Sequence, residues 1–413
     1  MRVLAGKAAE KRVRELVARA SRLDAVEPQV RKIVANVRGN GDPTLLKYAR
    51  KWDSLQAGQP LRVAPEEIQS AWKAASPDLR AALEHAASNI RRFCEWQKPA
   101  EWMKKKDGIS LGQIVRPLGS VGCYVPGGRY PLPSTLLMTV IPAQVAGVRR
   151  ICVVSPKPRA ETLAAAALLG VTEVYRVGGA HAVAALAYGT QSIPRVDKIV
   201  GPGNLYVTAA KKMVAFDCSI DFLAGPTEVV IVAEAGEAAF IAADLVAQAE
   251  HDPETLPVFI SSSPAFAEKV AASAKEAAET NAIARQSLSA NGVALVARSH
   301  AQALEWANLI APEHITAARE DVAAVHSAGS VFVGDYSPQA VGDYASGPNH
   351  VLPTAGAARY RGGLSVLDFL KLITVQELSP VALRRVAPVV TRLAEAEGLQ
   401  AHAASVRVRC AHA

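Results

Sequence analysis

Glu173-Val-Tyr-Arg-Val177-Gly-Gly-Ala-His181 and Lys198-Ile-Val200-Gly-Pro-Gly-Asn204 each run from a short apolar stretch into glycine and then into alanine-rich sequence. A strand that stops at glycine and leads into a helix is half of a parallel crossover unit. Three such units fill residues 150–214. They pair strand Arg150 to Val154 with helix Glu161 to Leu169, strand Glu173 to Val177 with helix His181 to Tyr188, and strand Lys198 to Val200 with helix Tyr206 to Val214. This spacing predicts an α/β fold with a doubly wound parallel sheet, whose ligands sit at glycine turns beyond the strand ends. No G-x-G-x-x-G is present, so a dinucleotide would have to be held by other contacts.

On the C-terminal side, Asp221-Phe-Leu-Ala-Gly225-Pro-Thr227-Glu228 leads into the apolar strand Val229 to Val232. Further units follow: Val258 to Ile260 with helix Pro264 to Ala278, Val293 to Val296 with helix Ser299 to Ile310, and strand Val331 to Val333. Strands on both sides of the glycine-rich portion imply two α/β lobes with a cleft between them. On the N-terminal side, Gly122-Cys-Tyr124-Val-Pro126-Gly-Gly-Arg129-Tyr130-Pro131 follows a strand and opens onto Ser134-Thr135, a candidate cap for helix Leu136 to Ala146. Such a loop suits phosphate, and it also suits an ordinary strand-to-helix turn. Residues 21–100 are helical in pattern, broken at Gly39-Asn-Gly41-Asp-Pro43, with a second helical stretch from Pro65 through Trp96. Met1 to Ala20 reads as an amphipathic helix without the apolar centre of a signal peptide, and the last fifty residues read as a helical arm.

With 413 residues, half of them hydrophobic, the chain has ample material for more than one core. No apolar run reaches the roughly 18 residues of a membrane span. The net charge of +8 is scattered except at Lys104-Lys105-Lys106 and comes with no nucleic-acid motif. It reads as a solvated basic face, or one that favours an anionic dinucleotide, and neither a nucleic-acid nor a membrane partner is expected. Cys94, Cys123, Cys152, Cys218 and Cys410 lie far apart with no C-x-x-C, as expected for reduced thiols of a cytoplasmic protein.

Four stretches carry chemistry. In Asp244-Leu-Val-Ala-Gln248-Ala-Glu-His251-Asp-Pro253, Gln248 and His251 are three apart near a helix end, which puts both on one face as possible ligands for a divalent metal. The same pattern also occurs in surface capping clusters. Ala311-Pro-Glu313-His314 follows a helix end, where both side chains can reach one cleft for acid/base work, or form a plain surface pair. Gly342-Asp343-Tyr-Ala-Ser-Gly-Pro-Asn-His350 offers a hard oxygen ligand and a titrating imidazole in a permissive loop. Glu397 and His402 lie five apart on the terminal arm, where a lone histidine is ordinarily solvated.

Together with Tyr124-Val-Pro-Gly-Gly128, Val177-Gly-Gly-Ala180, Gly201-Pro-Gly-Asn204 and Ala224-Gly-Pro-Thr-Glu228, these stretches resemble the histidinol dehydrogenase family through nearly the whole chain. The resemblance implies two Rossmann-like lobes with parallel sheets, a helical N-terminal segment and a C-terminal helical arm swapped between subunits of a homodimer. The corresponding division is residues 1–20 as extension, 21–123 with 229–363 as the metal-bearing lobe, 124–228 as the NAD lobe, and 364–413 as the arm. It further implies NAD-dependent oxidation of L-histidinol through the aldehyde to L-histidine. One zinc per subunit would be held by Gln248, His251, Asp343 and, from the partner subunit, the residue at the His402 position. His314 would be the base and Glu313 would activate water. Thr227, His350 and Glu397 would join the metal ligands and His314 around the substrate, and Tyr124, His181 and Asn204 would contact NAD.

The chain departs from the family pattern at His181, where glutamine is usual, and at Thr227, where serine is common. Arg129-Tyr130 adds a cation to the glycine loop, as in relatives that oxidise other small alcohols such as a sulfonated diol, and that substrate class is the alternative within enzymes. A non-catalytic nucleic-acid-binding protein is the alternative from another class, and predicts no bound metal and salt-sensitive affinity.

Overall fold

A computed structural model describes residues 1–19, 23–127 and 130–411. In chain order its strands are β1 (Arg2–Ala5), β2 (Trp102–Lys106), β3 (Ile109–Pro117), β4 (Ser120–Tyr124), β5 (Arg150–Val154), β6 (Val174–Tyr175) and β7 (Lys198–Val200). They continue with β8 (Ser219–Ile220), β9 (Glu228–Val232), β10 (Leu256–Ser261), β11 (Val293–Val296), β12 (His314–Ala317), β13 (Ser330–Val333) and β14 (Leu370–Leu378). Two sheets are wholly parallel: six strands in the order β1-β11-β10-β9-β12-β13, and five in the order β6-β5-β4-β7-β8. The third, β14-β3-β2, is antiparallel.

Helices cover both faces of each parallel sheet, which is why β9, β10 and β11 are buried along their length and apolar at nearly every position, apart from Glu228 and Ser261, instead of alternating. One face of the six-stranded sheet packs Val13 and Leu16 of helix Gly6–Val17 with Trp306 and Ile310 of helix His300–Ile310. The other face packs Leu245, Phe266 and Leu288 from three successive helices. The five-stranded sheet is covered on one side by helices carrying Ile68, Ile90, Leu136 and Leu163, and on the other by helices carrying Ile33, Leu45, Leu186 and Val207.

The structure corrects several expectations. Residues 2–5 form an edge strand of the six-stranded sheet before the helix Gly6–Val17 begins. The helices between Glu27 and Gln97 pack on the five-stranded sheet, to which β4 belongs, and not on the six-stranded sheet, while β2 and β3 of the same segment pair with β14. Helical periodicity told where an apolar stripe was, but not which of two sheets would receive it. The stretch Pro65 through Trp96 is two helices, parted where Ser76 caps the second by accepting from the backbone N–H of Leu79 at 3.2 Å. Ser134 and Thr135 are buried inside helix Pro133–Ala146 and do not cap it. The C-terminal fifty residues include β14, whose partner β3 lies some 250 positions back ( Leu370 opposite Pro117). No helix among the described residues is long and apolar enough to cross a membrane.

Candidate active site

Helix His300–Ile310 ends at Ala311, whose φ of 51° is left-handed, and Pro312 then turns the chain into β12. Glu313 and His314 therefore stand at the amino end of the six-stranded sheet, beside the start of β9. Both are buried, so the surface-pair reading fails. Glu313 Oε2 accepts from the backbone N–H of Glu228 at 3.0 Å, and His314 Nδ1 lies 3.2 Å from the carbonyl oxygen of Glu228. The Glu228 carboxylate is itself fixed by a bidentate pair with Arg19, both contacts at 2.6 Å, and by the N–H of Ala355 at 3.0 Å.

Asp343, on the short helix Gln339–Tyr344, completes the group. Its Oδ1 is 3.7 Å from His314 Nε2, and its Oδ2 accepts from Gln248 Nε2 at 3.0 Å. Gln248 is 1% exposed, in the last turn of helix Ala238–Ala249, and its Oε1 has no hydrogen-bond partner among the described residues. His251 lies just past that helix end and is exposed, close enough for its charge to act on Asp343. His350 Nδ1 donates to the Asp343 carbonyl at 2.7 Å, leaving Nε2 to accept from Thr135 Oγ1 at 3.3 Å. Thr135 lies on a helix of the other lobe, as does Asn89, which donates to the Ala345 carbonyl at 2.8 Å. The loop 342–350 is thus pinned across the interface between lobes.

The electrostatics follow from this crowding. Burial pushes the Glu313 carboxyl up to about 8, with His314 opposing it. Burial works against the His314 imidazolium, but the carboxylates of Glu313 and Asp343 outweigh it and hold its pKa up at about 9. Burial likewise works against the Asp343 carboxylate, and the imidazoles of His314, His350 and His251 more than offset that, keeping it below the usual range. For His350, burial outweighs the raising effect of Asp343 and holds the imidazole below its usual range.

A separate cavity of about 490 Å³ opens at the carboxyl ends of β4, β5, β6 and β7, lined by Trp52, Tyr124, Pro126, His181, Asn204 and Tyr206 among others. The Tyr124 hydroxyl accepts from the N–H of Gly179 at 2.9 Å. His181 Nε2 is 2.7 Å from Asp53 Oδ2, which also accepts from Gly178 N–H at 3.0 Å. Asn204 caps its helix through Oδ1, accepting from Tyr206 and Val207. Gly201, φ 113°, closes on the carbonyl oxygen of Tyr124, where an added Cβ would sit 2.2 Å away. A buried ion pair holds this turn: Lys211 pairs with Asp221, Lys211 Nζ donates to the Gly201 carbonyl at 3.0 Å, and Asp221 Oδ2 accepts from its N–H at 2.7 Å. Lys211→Met leaves the Asp221 carboxylate buried and unpaired, so the expected loss is about 3–5 kcal/mol in urea unfolding. A midpoint near that of the parent chain would refute the clamp.

Residues 17–410 match the family model for histidinol dehydrogenase. The chain belongs to the histidinol dehydrogenase family. It is 45% identical to the histidinol dehydrogenase of Methanothermobacter thermautotrophicus over 97% of each chain, and 45% identical to that of Gluconobacter oxydans over 95% of each. The crystal structure of histidinol dehydrogenase from Elizabethkingia anophelis superposes with a TM-score of 0.92 at 34% identity, covering 99% of this chain and 98% of that one.

Within this family frame, one chain brings together Gln248, His251, Asp343, Glu313, His314 and His350. Thr227 is half-buried directly before Glu228. Glu397 and His402 are not brought in: both are exposed, at the end of helix Pro380–Ala396 and on helix Gln400–Ala411. Arg129 lies outside the described residues. Sequence reading missed Glu228, Arg19, Trp52 and Asp53. Glu228 had a signal, as a charge opening an otherwise apolar strand. Asp53 had none, since nothing local ties it to His181 across 128 positions.

Proposed function

We propose that this chain is a zinc-dependent histidinol dehydrogenase that oxidises L-histidinol with NAD, through the aldehyde, to L-histidine. The observation that carries the reading is the buried Glu313–His314–Asp343 group beside a Gln248 amide oxygen with no partner. A buried acceptor left unpaired is costly, and a cation at that atom would satisfy it. Gln248, His251 and Asp343 form an N/O donor set that suits zinc, with His402 of a second copy as the fourth ligand. When bound, zinc supplies Lewis acidity and a template for the substrate's imidazole and amine, and NAD accepts the hydride of each oxidation.

The residues divide the proton work. His314, in its neutral form, takes the proton of the substrate hydroxyl in the first oxidation and is returned to that form by solvent. Glu313, as carboxylate, takes a proton from the water that adds to the aldehyde, giving the hydrate that the second oxidation converts to the acid. His350 and Thr227 line the substrate position, and Glu397 of the second copy joins them. Tyr124, His181 and Asn204, which line the cavity at the carboxyl ends of β4 to β7, would hold NAD.

The homodimer reading is supported by an uncovered apolar surface. Val381, Val389 and Leu393 on the arm, and Ile373 and Met103 on one side of the antiparallel sheet, are all exposed. A second copy laid on this face would bury them and carry its His402 toward the metal position. The protein with zinc should reduce NAD when given L-histidinol. Silence with histidinol and turnover of a sulfonated diol would favour the alternative substrate class. Glu313→Gln should halt the reaction at the aldehyde, so that NADH formed per histidinol falls by about half while the first hydride transfer persists. Unchanged stoichiometry would remove Glu313 from the hydration step.

A further inference from the structure

The catalytic group stands at the amino ends of β9 and β12. The carboxyl ends of the same strands open on another cavity, of about 430 Å³. From β9 the sheet order steps one way through β10 and β11, and the other way through β12 and β13. The crevice between β9 and β12 is therefore the switch point at which open parallel sheets take ligands. Its equivalent in the five-stranded sheet, between β4 and β7, is the cavity proposed for NAD. The dehydrogenase reading uses only one of the two.

The crevice is strongly acidic in a chain of net charge +8. Glu234 follows β9, Glu320 and Asp321 follow β12, Asp335 follows β13, and Asp244 faces in from helix Ala238–Ala249, with neither Lys nor Arg in the lining. One cation is built in. His300 has Nδ1 3.0 Å from Glu234 Oε1 and Nε2 2.8 Å from Asp321 Oδ1, so both ring nitrogens donate and the ring is an imidazolium. Glu234 is further held by the N–H of Ser262 at 2.8 Å. That leaves charge unmet. Asp321 is 6% exposed, and its Oδ2 is buried with no partner. Asp244 has no charged or hydrogen-bonding partner among the described residues, and burial pushes it up to about 6.

The geometry also selects the kind of cation. Both nitrogens of His300 are engaged, and among the described residues no group of three His, Cys, Asp or Glu side chains is placed to hold a metal ion. The carboxylates ring the crevice instead of converging on a point. Its floor is apolar, with Ile231, Phe240 and Ile241, and the exposed Tyr336 ring packs edge-on to Phe240, 6.3 Å between centroids. Carboxylates around an apolar, aromatic wall suit an ammonium group on a hydrocarbon body. An amino acid fits poorly, because its own carboxylate would face the others.

We propose that this crevice is a second ligand site, for a small organic amine whose ammonium group reaches Asp321 Oδ2 and whose carbon body lies on Phe240 and Ile241. Titrating the full chain with putrescine and with phenethylamine, followed by calorimetry, tests this directly. Saturable binding of at least one amine is expected, weakened about tenfold or more by Asp321→Asn. Asp335→Lys places a competing ammonium at the exposed rim without disturbing the His300 contacts and should weaken binding similarly, which keeps the test valid if Asp321→Asn fails to fold. No saturable binding of either amine, affinity unchanged in Asp335→Lys, or binding of manganese that neither amine displaces would overturn the proposal.

Discussion

Replacing His314 with asparagine should lower kcat for histidinol oxidation by about 10²–10⁴-fold, the span ordinarily lost with a general base. Metal content of the zinc-loaded protein should not change, because the proposed ligands Gln248, His251 and Asp343 are untouched. Asparagine can still donate toward Asp343, so the fold should tolerate the change. The sign of the pH dependence distinguishes a base from a spacer. His314 must be neutral to accept a proton, and Glu313 and Asp343 hold its pKa up at about 9. Turnover of the parent enzyme should therefore climb as pH rises from neutrality toward that value, with a zinc ion beside Asp343 drawing the midpoint lower. The residual rate of the variant should lose this dependence. Near-parental turnover, or an unaltered pH profile, would mean that another group takes the proton.

The second large effect concerns the arm. His402→Ala should abolish zinc binding and activity although His402 touches nothing in the group around Asp343 within one chain. His251→Ala should do the same from the other side of the proposed shared site. Mixed dimers of the two variants contain one site lacking both ligands and one lacking neither. Refolding equal amounts together gives such dimers in about half of the population, so about a quarter of the parental activity should return. If His402 served its own subunit, every site in the mixture would lack one ligand and no activity would return. Mass analysis that shows heterodimers without rescue would reject the shared site.

Most strands of the parallel sheets, such as Arg150–Val154, Lys198–Val200 and Val293–Val296, were legible as short apolar runs that stop at a turn or helix start, whereas Ser219–Ile220 and His314–Ala317 carry too few apolar residues to read as strands. Their partners were less legible. Trp102–Lys106 looks like a solvated basic stretch, yet it forms a hairpin with the neighbouring β3, whose other edge is taken by the distant β14. Arg2–Ala5 is four residues, too short for its alternation to stand out from the helix that follows. In the candidate site, residues on motifs could be named from the chain alone, and what could not be named was their burial. Glu313 and His314 read as an accessible loop pair, yet the left-handed Ala311 and Pro312 turn them into the sheet edge. Supports such as Arg19 and Asp53 escape such reading because each acts across more than a hundred positions.

The pair between Arg19 and Glu228 gives the first nineteen residues a task that their composition does not suggest. Glu228 presents its backbone to Glu313 and His314 while its own carboxylate leans on the guanidinium from the amino-terminal segment. Proteolytic trimming just beyond Arg19 would take away the border strand of the larger sheet and strand an anion in the interior. The damage would surface as a misaligned proton acceptor some two hundred and ninety positions downstream. Nicking at the very front of the polypeptide is thus a route to inactivation that leaves every reacting group in place.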